Sequence, residues 1–148
     1  LEKEFFQSNQ AAAHFFYKNG GLKASGLYIN EQKDSTWNYF NRDSVLILSE
    51  GYKKGKLNGK SIIYYDDGQV YEIKHFLDGV ENGKWEQYFI NGNLKMRSYF
   101  DSGKRQGEHN FYYPSGELNF KGSYKEDKKI GEWIYYTPEG VVDTIIRF

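Results

Sequence analysis

Short runs in which large apolar residues alternate with polar ones recur down the whole chain, and each run is closed by a polar break that carries glycine. Lys84-Trp85-Glu86-Gln87-Tyr88-Phe89 is one such run, and Asn91-Gly92 breaks it. Period-two alternation rich in Tyr, Phe, Trp and Ile marks strands rather than helices. The breaks Asp66-Asp67-Gly68, Asn91-Gly92, Pro114-Ser115-Gly116 and Pro138-Glu139-Gly140 supply residues that tolerate positive φ or preset it, as tight reversals need. Each run, break and following run therefore predicts a β-hairpin.

The hairpins recur on a fixed ruler. Gly59, Gly83, Gly107 and Gly131 stand 24 residues apart, and extending the ruler backwards divides the chain into units 11–34, 35–58, 59–82, 83–106, 107–130 and a shortened 131–148. The sixth place is aromatic in every unit (Phe16, Phe40, Tyr64, Tyr88, Tyr112, Tyr136), and so is the eighteenth (Tyr28, Tyr52, Phe76, Phe100, Tyr124, Phe148). The tenth place is glycine except at Ser44, and the twelfth is Leu or Val throughout. Repetition at this period predicts an array of one small unit. The expected fold is all-β: a single elongated antiparallel sheet of about twelve strands, on the order of 55 to 60 Å long at about 4.8 Å per strand. Parity places the twelfth and eighteenth residues on one face. Residues 1–10 fall off the ruler, and Phe5 and Phe6 there suggest one extra strand that caps the array.

Composition narrows the function classes. Lys and Arg number 20 against 20 Asp and Glu, interleaved along the chain, so the basic stripe that nucleic acid demands is missing and no nucleic-acid partner is expected. Cysteine is absent, which removes a disulfide framework and fits either redox compartment. No run reaches the roughly 18 to 20 apolar residues of a membrane helix. The chain begins at Leu1 without methionine, which fits a trimmed secretion or lipoprotein signal, and with it an extracytoplasmic location, or excision from a longer chain.

Gly83-Lys84-Trp85-Glu86-Gln87-Tyr88-Phe89, then Asn91-Gly92-Asn93-Leu94-Lys95, Tyr99-Phe100 and Gly103-Lys104 together resemble the bacterial MORN-repeat variant, and the likeness covers residues 11–148. Proteins of this pattern are often labelled YwqK-like antitoxins of proposed toxin–antitoxin pairs, and classical MORN repeats are associated with membrane contact and protein scaffolding. The resemblance thus implies a scaffold, with an antitoxin-like role as its finer form. Departures from the pattern are Ala11 and Ser35 for the leading glycine, Ser44 for the turn glycine, and Glu31 and Asp127 for the late glycine.

Places that vary between units are free to serve recognition. The third reads Ala13, Trp37, Ser61, Trp85, His109 and Trp133, so tryptophan recurs every second unit, about four strands or roughly 19 Å apart, on the face opposite the sixth-place rings. The fifth place adds Phe15, Tyr39, Phe111 and Tyr135, and the seventh Tyr17, Tyr65, Phe89 and Tyr113. The expected partner-binding set is Trp37, Tyr39, Trp85, His109, Phe111, Trp133 and Tyr135, an aromatic field suited to a protein partner. Two other readings stand beside it: rings that only pack on one another, and a cell-envelope module that contacts glycan or lipid headgroups.

Catalysis is not expected. Glu108 and Glu132 occupy the second place of neighbouring units, about 10 Å apart by strand spacing, close to an inverting carboxylate pair but with no apolar pocket to hold one of them protonated. His14, His75 and His109 fall at unrelated places, without ligand spacing, so neither metal nor cofactor is expected. Thr144-Ile145-Ile146-Arg147-Phe148 is β-prone and apolar. Ile145 and Ile146 there are expected to support edge-strand pairing and self-association.

Overall fold

The computed structural model describes residues 2–7 and 9–148, the first stretch by its backbone alone. The strands are β1 (Glu2–Gln7), β2 (Gln10–Phe16), β3 (Leu22–Ile29), β4 (Gln32–Phe40), β5 (Leu46–Lys53), β6 (Lys56–Tyr64), β7 (Val70–Leu77), β8 (Val80–Tyr88), β9 (Leu94–Asp101), β10 (Lys104–Arg105), β11 (Gly107–Tyr112), β12 (Leu118–Lys125), β13 (Lys128–Tyr136) and β14 (Val142–Arg147). They form one 14-stranded sheet in which neighbours in sequence are neighbours in space, with β10 paired only to β9. Every pairing is antiparallel. No described residue is helical, and no helix is long and apolar enough to cross a membrane. The all-β, single-sheet expectation holds. The count exceeds twelve because β1 pairs with β2 and because the arm after β9 is interrupted into β10 and β11. The side chains of Phe5 and Phe6, named above as a cap, lie outside the described residues.

Two irregularities recur and set which residues share a face. Within each hairpin the second arm carries one extra residue: Phe15 pairs with Ala24 but Phe16 with Leu22, which leaves Lys23 unpaired. The same step skips Ile47, Tyr71, Lys95, Asn119 and Asp143. A one-residue bulge reverses the parity of everything beyond it. The twelfth place therefore faces with the sixth, whereas the eighteenth faces with the third and fifth, as the edge-on packing of Tyr28 on Trp37 at 5.0 Å shows. The expectation that the twelfth and eighteenth share a face is corrected accordingly.

The second irregularity lies between hairpins, where the register slips by two beside the leading glycine, as between Glu50↔Ser61 and Tyr52↔Leu57. Gly59, Gly83, Gly107 and Gly131 there have φ of 95°, 109°, 76° and 65°, a region that costs an L side chain about 1 to 2 kcal/mol. Four of the five departures from glycine adopt the same backbone: Ser35, Ser44, Glu31 and Asp127 have φ of 59°, 64°, 62° and 64°.

Hydrogen bonds across the hairpin boundaries repeat as well. The amides of Gly55, Gly79, Gly103 and Asp127 donate to the carbonyls of Lys33, Leu57, Glu81 and Arg105 at 2.8, 2.8, 2.9 and 3.1 Å. On the opposite edge the hydroxyls of Tyr17, Tyr65 and Tyr113 donate to the carbonyls of Phe40, Tyr88 and Tyr136 at 2.7, 2.8 and 2.8 Å. Seventh-place tyrosines thus brace the next hairpin and do not join the third-place rings. Burial concentrates on the face of the third place, where Ala13, Ala24, Trp37, Met96, Tyr124 and Trp133 are buried. The other face buries Glu86, which accepts from Arg97 Nε at 2.8 Å.

Candidate functional site

The third-place tryptophans are built into the sheet in two different ways. Trp37 and Trp133 lie flat over Gly26 and Gly122 of the preceding arm, where an added Cβ would sit 2.2 Å from the indole Cδ2. Glycine at those positions is therefore what lets the ring lie down. Trp85 meets Lys74 across the strand instead, with the ammonium 4.9 Å from the ring centre and held by Glu81 at 2.7 Å. Trp85 Nε1 donates to Glu72 at 2.9 Å, and Gln87 donates to the same carboxylate oxygen at 2.6 Å.

Cations close the other two rings from outside. Lys33 Nζ stands 4.5 Å from Trp37, 5.2 Å from Tyr39 and 4.9 Å from Tyr52, and donates to the Tyr39 hydroxyl at 2.7 Å. Burial pushes the Tyr39 phenol up to about 12, so it stays protonated at neutral pH. Lys129 Nζ covers Trp133 at 4.2 Å and Phe148 at 5.0 Å. Each such cation–π contact contributes about 0.5 to 2 kcal/mol, more as water is excluded. Trp37 and Trp133 end up 1% and 2% exposed.

That burial corrects the expectation for these two rings. They do not present free faces to a partner, because a glycine beneath and a lysine above leave them no open side. Trp85, His109 and the fifth-place rings Tyr39, Phe111 and Tyr135 are all half-buried. Four of the expected residues do come together: His109, Phe111, Trp133 and Tyr135 surround Phe120, with ring centres 5.7, 5.3, 5.9 and 5.4 Å away. Tyr124 and Phe148 complete the group against Trp133 at 5.1 and 6.1 Å. Trp37 and Tyr39 form a separate group with Phe15 and Tyr28, and Trp85 stands between them with Phe100.

Sequence reasoning missed Phe120, Tyr124 and the glycines. The parity step hid the first two. Gly26 and Gly122 each precede a tryptophan by the same interval in the middle of a strand, and a strand-interior glycine signals a close approach.

His109 lies among these rings, 5.8 Å from Trp133 and 5.4 Å from Tyr124, and its Nδ1 has no hydrogen-bond partner among the described residues. Burial, helped by Arg105 and Lys129, lowers its pKa to about 4, so the imidazole is neutral at physiological pH and packs as a ring. On the opposite face Glu108 and Glu132 border a shallow hollow with Asn110, Tyr112, Lys121 and Ser123, and Glu132 accepts two bonds from Arg147 at 3.0 and 2.9 Å. Glu108 and Glu132 are both exposed. Among the described residues no group of three His, Cys, Asp or Glu could hold a metal ion.

Comparison with protein families matches residues 57–78 and 105–126 to the MORN repeat variant. The two matches begin two ruler lengths apart and cover β6 with β7 and β11 with β12. No curated protein matches the chain. Both matched stretches are similar to a repeat family that suggests a scaffold for binding.

Proposed function

We propose that the chain is a non-enzymatic repeat scaffold whose third- and fifth-place face docks a protein partner, and that units 11–34 through 131–148 are its modules. The observation that carries this is the half-buried row of Phe15, Tyr39, Phe111 and Tyr135, held in place by sealed rings beneath and beside it and covered by no second layer among the described residues. Rigid aromatic side chains on a preorganised sheet lose little entropy on binding and are the usual anchors of an interface. The tryptophans act as foundations, so the test uses the outer row. Tyr39→Ala, Phe111→Ala and Tyr135→Ala are expected to keep the fold and to lose a partner captured from the native host, about tenfold or more in affinity for each true anchor. Folded variants that retain every partner at full affinity would end the docking reading.

The YwqK-like resemblance carries the antitoxin form of this reading. Its test is co-purification of a toxin from the native host and relief of that toxin's growth arrest by this chain.

A second reading, an envelope module for glycan, is favoured by the polar hollow of Asn110, Tyr112, Lys121 and Ser123, which sets a ring beside hydrogen-bonding groups on the opposite face. Titration with cell-wall oligosaccharides separates the two. Shifts in the Tyr112 and Ser123 resonances, with Tyr39 and Tyr135 unmoved, would select glycan.

A further inference from the structure

The face that carries the sixth-place rings bears a charge order that the repeat does not require. In four successive units the second place reads Lys60, Lys84, Glu108 and Glu132, all exposed. Among the described residues Lys60, Lys84 and Glu108 belong to no ion pair. The four lie in one row across the sheet. Lys60 opposes His75, Lys84 opposes Tyr99 and Glu108 opposes Ser123, and the register that sets Arg97 against Asn110 carries on to place Tyr99 beside Glu108. Four residues further along the same arms runs an apolar row, half-buried Tyr64, Tyr88, Tyr112 and Tyr136 spaced by Val70, Leu94 and Leu118. No second layer covers it among the described residues.

Two lysines followed by two glutamates are self-complementary. When a second copy is laid face to face about a two-fold axis parallel to the strands and midway between the sheets, each row meets itself in reverse. With the axis over β9, Lys84 meets Glu108 and Lys60 meets Glu132, each twice, and His75 meets Ser123. The apolar row meets itself as well: Leu94 on Leu94, Tyr88 on Tyr112, Val70 on Leu118 and Tyr64 on Tyr136. Moving the axis to β8 sets Lys84 against Lys84, and moving it to β11 sets Glu108 against Glu108. An axis between two strands sets first arms against second arms and pairs no lysine with a glutamate. Arg97, which meets its own copy over β9, is already paired with Glu86 at 2.8 Å. Both sheets twist with the same hand, so their strands stay aligned along the stack at the spacing of about 10 Å usual for packed sheets.

We propose that the protein self-associates through its sixth-place face, two sheets stacked about an axis over β9, the occupant of that face being a second copy of this chain. The apolar row supplies the burial, and opposite charges across the interface fix the register and exclude the alternatives. This does not rest on the aromatic-face reading, because the row of Phe15, Tyr39, Phe111 and Tyr135 lies on the other side of the sheet and stays open in the pair. The hollow of Asn110, Tyr112, Lys121 and Ser123 is covered by the second copy, so glycan there and self-association compete.

Sedimentation equilibrium of the full chain over a wide concentration range tests it. The expected result is a reversible species of twice 17.4 kDa. Lys84→Glu, which opposes like charges twice, is expected to raise the dimer dissociation constant about tenfold or more, and the double variant Lys84→Glu with Glu108→Lys to bring it back. Leu94→Lys sets two ammonium groups together on the axis while its stem covers the same surface within one copy, and is expected to give monomer with an unchanged far-UV spectrum. A 17.4 kDa species at every concentration, or a dimer indifferent to both Lys84→Glu and Leu94→Lys, overturns the proposal. A charge swap that leaves the folded protein monomeric overturns the β9 axis.

Discussion

Single residues decide this sheet where backbone or ring geometry leaves no slack. Gly122 is the sharpest case, because Trp133 occupies the space a methyl group would need. Gly122→Ala is expected to cost about 2 to 3 kcal/mol by overpacking, read as a lower urea midpoint, with loss of the Trp133 near-ultraviolet signal. Ser44 is the opposite case. It is exposed and holds φ at 64°, so Ser44→Gly relieves about 1 to 2 kcal/mol of strain against about 0.5 to 1 of added chain entropy. A net gain of roughly 0.5 to 1 kcal/mol is expected, and a destabilised variant would refute the strain argument.

His109 gives the residue scale a pH signature. Its pKa is lowered from 6.5 in the open chain to about 4 in the fold, so between those values the unfolded chain binds a proton that the native state refuses. Stability from this group is complete above 6.5 and is lost as pH falls toward 4. Allowing for the ring's partial exposure, the loss is roughly 1 to 2 kcal/mol. His109→Phe keeps a ring among Phe120, Tyr124 and Trp133 and is expected to flatten the stability profile across that window. Parallel profiles for the two proteins would contradict the neutral-ring assignment.

At the scale of the element, neighbouring hairpins are tied to one another at their rims. The late-place amide bridges one rim, and in alternate units a tyrosine hydroxyl bridges the other. Tyr113→Phe removes the bond to the Tyr136 carbonyl and little else, so a loss of about 0.5 to 1.5 kcal/mol is expected. Faster amide exchange should appear in β13 and leave β2 unchanged, because neighbour terms in an array are local. Uniform acceleration across all strands would show that the sheet opens as one body. The hairpins themselves were legible from alternation and turn residues, since both are properties of a few adjacent positions. Their bulges were not: Lys23 and Asp143 carry no compositional mark, and the extra residue shows only once two strands are laid together.

Across the whole molecule the repeat is double. Trp37, Trp85 and Trp133 recur every second unit, and so do the bracing hydroxyls of Tyr17, Tyr65 and Tyr113, in the units between. Excising 59–106 keeps this alternation, whereas excising 59–82 sets the Trp37 unit directly beside the Trp85 unit. The longer deletion is expected to melt higher than the shorter one despite losing more chain, and the reverse order in thermal scans would refute both the alternation and the six-unit division.

From the chain alone one could know that it forms tandem antiparallel hairpins in a single sheet with aromatic rows, because strand period, turn chemistry and a constant spacing are all written along the backbone. Which rings are open and which are sealed was settled only in three dimensions. Trp37 and Trp133 look in sequence like the most available anchors, yet Gly26 and Gly122 lie beneath them and Lys33 and Lys129 above. The glycines come from the preceding strands β3 and β12 and the lysines from the tryptophans' own strands β4 and β13, across a register that a one-residue bulge and a two-residue slip both shift, and exposure depends on that sum over the folded sheet rather than on any residue's own character.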